Sequence, residues 1–183
     1  MSGDLLKPEE SVLVVVDVQA RLLPHIHEHP RVVESIRLML RTARTLDMPV
    51  LMTTQYAKGL GPTHDAVAEL APPAAPFDKQ TFSCFGSSEF TQALTATGRR
   101  SLLLCGVETH VCVLQTGLDA LATGYRVHLV TDASGARTAA NEVLGQRRLE
   151  KAGTVLSSSE MVLYELLRTS ASPAFKSLLP HLK

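Results

Sequence analysis

Two kinds of apolar pattern alternate along the chain. Val12 to Val18, VLVVVDV, is almost wholly β-branched, the composition of a strand buried on both faces of a parallel sheet. After a turn-rich connection, Val33, Ile36, Leu40 and Ala43 recur three or four apart and predict a helix starting near Pro30, a residue suited to the first helical position. Val50 to Thr54 reads as a second strand. Residues 56–80, rich in Gly, Pro and Ala, read as a long irregular excursion with one short helix near Asp65 to Leu70. Excursions of that length inside a compact domain are usually functional. A helix from Ser87 or Ser88 to Thr97 closes at Gly98. The run Leu102 to Cys105 predicts a third strand, broken at Gly106, and Val111, Leu114, Leu118 and Leu121 then mark an amphipathic helix. The same alternation continues with a strand at Val127 to Thr131 and a helix at Thr138 to Lys151 closed by Gly153. A short strand at Thr154 to Leu156, a helix at Ser159 to Arg168 and a docked helix within Ser172 to Lys183 complete it.

Strands alternating with helices imply βαβ units, and hence a parallel sheet with helices on both faces. The fold class is therefore α/β, a Rossmann-like three-layer sandwich. No repeat or linker divides the chain, so residues 1–183 are expected to form a single domain, and 183 residues suffice for one full core.

Composition narrows the function classes. Eighteen basic and eighteen acidic residues cancel, which gives no field for steering nucleic acid or an anionic membrane. Three cysteines without framework spacing point to free thiols in a reducing compartment. The opening MSGDLLKPEESV carries no charged-then-apolar signal pattern, and no apolar run approaches the roughly 18 residues of a membrane span. A cytoplasmic location is expected.

The chemistry gathers at the strand ends. In open parallel sheets, ligands bind beyond the C-terminal ends of the strands. Asp17 lies at the end of the first strand, where a carboxylate is costly to bury unless it is paired or reactive. Lys79 precedes the third strand and Cys112 follows it. Thr109 stands at an expected N-cap, which puts Cys112 in the first helical turn, where free N–H groups and the helix dipole would lower a thiol pKa. Most free cysteines are small buried hydrophobes, so position alone does not assign the reactive role.

Together, Asp17-x-Gln19, the single Lys79 after a proline-rich loop, and GVETHVC from Gly106 to Cys112 resemble the isochorismatase-like cysteine hydrolases. The resemblance runs from the Asp17 strand to Ser157–Leu167. It is nearest to the short, metal-free members by the PHIHEH and QYAKGLGPT stretches. It implies Asp17, Lys79 and Cys112 as catalytic residues, a cis peptide between Val107 and Glu108, and assembly into dimers or larger homo-oligomers. Cys112 would attack an amide or imide-type carbonyl of a small molecule, with Asp17 as acid and base and Lys79 in support. Backbone N–H groups around Glu108 and Cys112 would form the oxyanion site. Gln19, Phe82 and Thr109 are candidate substrate contacts, although Phe82 reads as easily as core.

No cofactor is expected, and no metal. The family's nicotinamidases carry an Asp-x-His metal pair after the second strand, where this chain has Gln55-Tyr56-Ala57 and only an isolated His64-Asp65 further on. That departure argues against nicotinamide as substrate. Isochorismatase proper lacks the cysteine nucleophile, so Cys112 argues against isochorismate. His25, His27 and His29 would share one face only in a strand, and Pro24 and Pro30 mark the segment as a loop. Cys105 ends a buried strand and reads as inert, whereas Cys84 near Lys79 could sense oxidation beside Cys112. The alternative reading is a non-catalytic small-molecule-binding or redox-sensing protein that keeps the fold and a reactive thiol.

Overall fold

The structure, a computed structural model, describes residues 5–182. Six strands, β1 (Ser11–Val16), β2 (Val50–Gln55), β3 (Phe77–Lys79), β4 (Ser101–Val107), β5 (Arg126–Gly135) and β6 (Val155–Ser157), form one sheet in the order β3-β2-β1-β4-β5-β6. Every pairing is parallel. Around it lie α1 (His29–Thr45), α2 (Ala57–Leu60), α3 (Asp65–Ala68), α4 (Ser88–Ala96), α5 (Leu114–Ala122), α6 (Ala139–Ala152), α7 (Ser159–Leu167) and α8 (Pro173–Leu178).

Successive residues of a strand face opposite ways, so a central strand apolar throughout feeds two cores at once. Leu13 and Val15 of β1 pack with Leu103, Cys105 and Val107 of β4 beneath α1 and α7. Val12, Val14 and Val16 pack with Leu102 and Leu104 against Phe90 and Leu94 of α4, Ala120 of α5 and Leu149 of α6. The result is three layers, helices on both faces of a parallel sheet.

The chain leaves β1 for β2 and β3 on one side and returns to β4 on the other. The order therefore reverses between β1 and β4, where side chains from both directions meet at the C-terminal ends. Asp17 leaves β1 at that edge in the left-handed conformation, φ +52°. Short polar residues such as Asp tolerate that region better than bulkier ones.

Some boundaries depart from the sequence reading. Asp17 and Val18 lie beyond the first strand, which ends at Val16. The excursion at 56–80 holds not one element but three, α2, α3 and β3, so the strand expected to be third is β4. Gly106 does not break β4. It is paired with Val16 inside the strand at φ +115°, a conformation that glycine alone adopts freely. A side chain there would meet Val16 backbone, since an added Cβ would lie 2.2 Å from the Val16 carbonyl oxygen.

Candidate functional site

Asp17 is fully buried, and its carboxylate is met by two donors. Thr53 Oγ1, from β2, donates to Oδ1 at 2.7 Å. Lys79 Nζ donates to Oδ2 at 2.6 Å. This ion pair is closed to water, with 1% and 0% of the two side chains exposed. Removing one partner of such a pair is costly because the other charge stays behind unneutralised.

Lys79 arrives here because β3 pairs with β2 in a register that sets it beside Gln55. Gln55 Oε1 accepts a second Lys79 hydrogen at 2.8 Å, while its Nε2 donates to the Gln80 carbonyl. Gln19 then braces the whole edge. Its Nε2 donates to the carbonyls of Gln55 and Gly61, and its Oε1 accepts from the Gln55 N–H at 2.8 Å. Both amide hydrogens of Gln19 are thus used within the protein. It holds the excursion against β1, and the substrate contact expected of its amide donor is already occupied.

Cys112 comes from the far side of the reversal point. Its segment corrects the sequence reading in two ways. Thr109 does not cap a helix; Glu108 precedes a π-helical turn, Thr109–Val113, that runs into α5. The Glu108 carbonyl accepts from Val111 N at 3.0 Å and Val113 N at 3.2 Å, and Thr109 Oγ1 is buried with no partner among the described residues. The thiol pKa is also not lowered. Burial pushes the Cys112 thiol up to about 12; the Asp17 charge and a hydrogen bond to Asp17 add to that, and only Lys79 opposes it. The expected helix-end stabilisation acts on a partly solvated thiol, whereas this one is 6% exposed and faces a carboxylate.

The turn is held from behind by α6. A Cβ on Gly145 would lie 2.9 Å from the Thr109 carbonyl oxygen and 3.0 Å from His110 Cα, so the glycine lets the helix rest directly on the turn's backbone. The Val107–Glu108 peptide bond is cis. Val107 is core, and the Glu108 carboxylate is paired with Arg137 Nε at 2.6 Å. Phe82 is 53% exposed and lies outside both sheet cores, which removes its core reading.

The remaining candidates stay apart. His25 and His27 are exposed on a turn and loop, and His29 begins α1, so the strand geometry needed to align the three is absent there. No group of three His, Cys, Asp or Glu side chains among the described residues converges as metal ligands would. Cys105 is buried with its thiol on the Val14 carbonyl. Cys84 is buried beside Thr53. Sequence reasoning passed over Thr53 and Gln55, although polar side chains ending an apolar strand gave the same signal that singled out Asp17.

Residues 11–161 match the model of the isochorismatase domain family. The chain belongs to that family. A secreted isochorismatase effector of Phytophthora sojae is 39% identical over 178 residues, covering 94% of this chain and 84% of its own. Among solved structures, MAR1 ribonuclease from Caenorhabditis elegans superposes with a TM-score of 0.91 at 33% identity, covering 97% of this chain and 92% of its own. YcaC from Pseudomonas aeruginosa, bound to hexane-2,5-diol and covalent acrylamide, gives 0.92 at 28% identity, covering 99% and 93%. The fold is that of the isochorismatase-family hydrolases. No helix among the described residues is long and apolar enough to cross a membrane. The oomycete relative is named as secreted, so family membership does not carry the cytoplasmic expectation.

Proposed function

We propose that the chain is a cysteine-dependent hydrolase cleaving a C–N bond, amide or imide-type, of a small molecule through an acyl-enzyme on Cys112. One observation carries this reading: Asp17 is buried and held by Lys79 at 2.6 Å, close enough to Cys112 that its charge helps push that thiol up. A thiol pushed up to about 12 is protonated at neutral pH, so it needs a base in contact. Asp17 takes the S–H proton as sulfur bonds to the carbonyl carbon. It returns that proton to the nitrogen as the C–N bond breaks. Water then gives a proton to Asp17 as its oxygen attacks the thioester, and the proton passes back to the departing sulfur. Lys79 neutralises and orients the carboxylate throughout, and backbone N–H groups around Glu108 and Cys112 receive the oxyanion.

The covalent acrylamide on the Pseudomonas aeruginosa neighbour supports the reading, since acrylamide is an electrophile that nucleophilic thiols capture. The nematode neighbour's ribonuclease description suggests RNA instead. Eighteen basic and eighteen acidic residues favour a small substrate over a polyanion, which is usually met by a basic surface. The test is a panel of small amides and cyclic imides, with RNA included, read by product formation and intact mass. Expected is turnover of an amide or imide that vanishes in Cys112→Ala, with an acyl adduct on wild-type Cys112. Turnover that survives Cys112→Ala overturns the mechanism. A thiol that alkylates while nothing in the panel is cleaved favours the binding or redox-sensing alternative.

A remote substitution should injure this chemistry selectively. Replacing a mid-helix glycine by alanine ordinarily stabilises a helix by about 1 kcal/mol. Gly145→Ala, however, must push the Cys112 turn away from α6 by tenths of an ångström. Turnover is expected to fall at least about tenfold, given the sensitivity of reacting geometry to small displacements. The melting temperature should move by only a few degrees, because the helix gain offsets the clash. Equal losses of activity and stability would show instead a general packing fault.

A further inference from the structure

We propose that Cys84 and Thr53 form a directional hydrogen-bond relay that orients the Asp17 carboxylate toward Cys112, which makes both of them positioning residues. The inference rests on the reading of Asp17 as the base for Cys112. A threonine hydroxyl has one hydrogen to give and can also accept. Thr53 Oγ1 gives its hydrogen to Asp17 Oδ1 at 2.7 Å and accepts from the Cys84 thiol at 3.8 Å. Donation from the sulfur leaves the hydroxyl hydrogen only one direction, toward the carboxylate.

The sulfur is fixed in that role by its surroundings. Cys84 is fully buried, and its N–H donates to Thr116 Oγ1 of α5 at 3.0 Å, which pins the residue between α5 and β2. Burial, followed by the Asp17 charge, pushes this thiol up to about 11, so it remains S–H and a donor throughout the working range. Thr53 is itself buried in the middle of a paired strand. The titratable groups facing Asp17 are Lys79 from β3, Cys112 from the π-helical turn and Cys84; Lys79 donates to the carboxylate, whose charge helps push both thiols up. Thr53 is the neutral partner opposite Lys79. It stabilises the anion without adding a charge that would bind the thiolate.

Val and Thr have the same shape, whereas Ser keeps the hydroxyl and loses the methyl, so the two variants separate hydrogen bonding from packing. The first readout is the acrylamide alkylation rate of Cys112 at pH 8, followed by mass spectrometry. A hydrogen bond to an ionised group is strong enough that Thr53→Val should raise this rate by about tenfold, because a carboxylate that has lost a donor is the stronger base, takes the Cys112 proton more readily and leaves more thiolate. Thr53→Ser should stay within about twofold of wild type, and Cys84→Ala should give a smaller rise in the same direction. The second readout is Cys112-dependent hydrolysis of p-nitrophenyl acetate, where Thr53→Val should lower kcat by about tenfold with KM unchanged and Thr53→Ser should restore it.

A silent Thr53→Val, or a Thr53→Ser change as large as that of Thr53→Val, overturns the relay and leaves the hydrolase reading intact. Alkylation rates that move as expected, in a protein whose ester hydrolysis does not depend on Cys112, uphold the relay and overturn the hydrolase reading.

Discussion

Asp17→Asn is expected to make Cys112 easier to alkylate while abolishing turnover. The two effects run in opposite directions because Asp17 acts on the thiol in two ways. As a charge and hydrogen-bond partner it adds to the burial that pushes the thiol up to about 12. As a base it is the acceptor that lets a protonated thiol react at neutral pH. The amide keeps the shape, loses the charge and cannot take the proton. In the variant the Lys79 ammonium, formerly 2.6 Å from the carboxylate, is left without its counter-charge and favours the thiolate. With one opposing charge gone and one favourable charge released, ionisation of Cys112 moves to lower pH. In wild type the alkylation rate should still climb about tenfold per unit at pH 10, with no plateau, as a thiol far above the ~8.5 of a free cysteine requires. Asp17→Asn should bend toward a plateau within that range. Lys79→Met should do the reverse, since Lys79 is the group that lowers the thiol. Turnover of any amide found by the panel should fall by about a thousandfold in Asp17→Asn, the scale of a lost general acid and base.

A buried lysine without its partner also destabilises the fold by about 3–5 kcal/mol. The double variant Asp17→Asn with Lys79→Met removes that cost, and it should recover stability while leaving turnover as low as in the single variant. If Asp17→Asn alkylates no faster than wild type at any pH, Asp17 is not the group that holds the Cys112 proton.

Apolar runs on both faces of Val12–Val16 and Leu102–Leu104 identify central parallel strands because few other structures bury such segments. The topology then brings Asp17 and Cys112 to one edge, whatever the loops do. β3 was missed because Phe77-Asp78-Lys79 is three residues long and contains an exposed aspartate, and its pairing is fixed by β2 rather than by its own composition. Asp78 serves there as an acceptor for Thr54 Oγ1 and the Ala57 N–H. The thiol pKa was misread for a related reason. A helix N-terminus is legible locally, but the burial that outweighs it depends on α6 lying against the turn at Gly145, some thirty-odd residues later in the chain. Gln19 shows the same limit: a polar residue after Asp17 was readable, while the closure of its amide by Gln55 and Gly61 was not.

Gly106→Ala should be strongly destabilising, and Gly98→Ala is its control. Both glycines have positive φ, +115° and +66°. Gly98 follows α4 with nothing within 4 Å of an added Cβ, so alanine there costs only the left-handed backbone, about 1–2 kcal/mol. At Gly106 the added carbon would lie 2.2 Å from Val16 O and 2.5 Å from Val16 N. Both atoms belong to the backbone of the paired strand, so no rotamer change relieves the contact. β1 and β4 must part at the Val16–Gly106 pair, one residue before Asp17 and at the strand end that leads into the Cys112 turn. A loss beyond about 4 kcal/mol is expected, a large share of the roughly 5–15 kcal/mol that keeps a domain folded. The check is the urea midpoint of each variant at unchanged m-value. A Gly106→Ala midpoint no lower than that of Gly98→Ala would mean that the strands separate freely, and then their close approach cannot be what sets Asp17 against Cys112. A much lower midpoint ties the two together: the glycine that lets β4 lie against β1 also brings the acid and the thiol within reach.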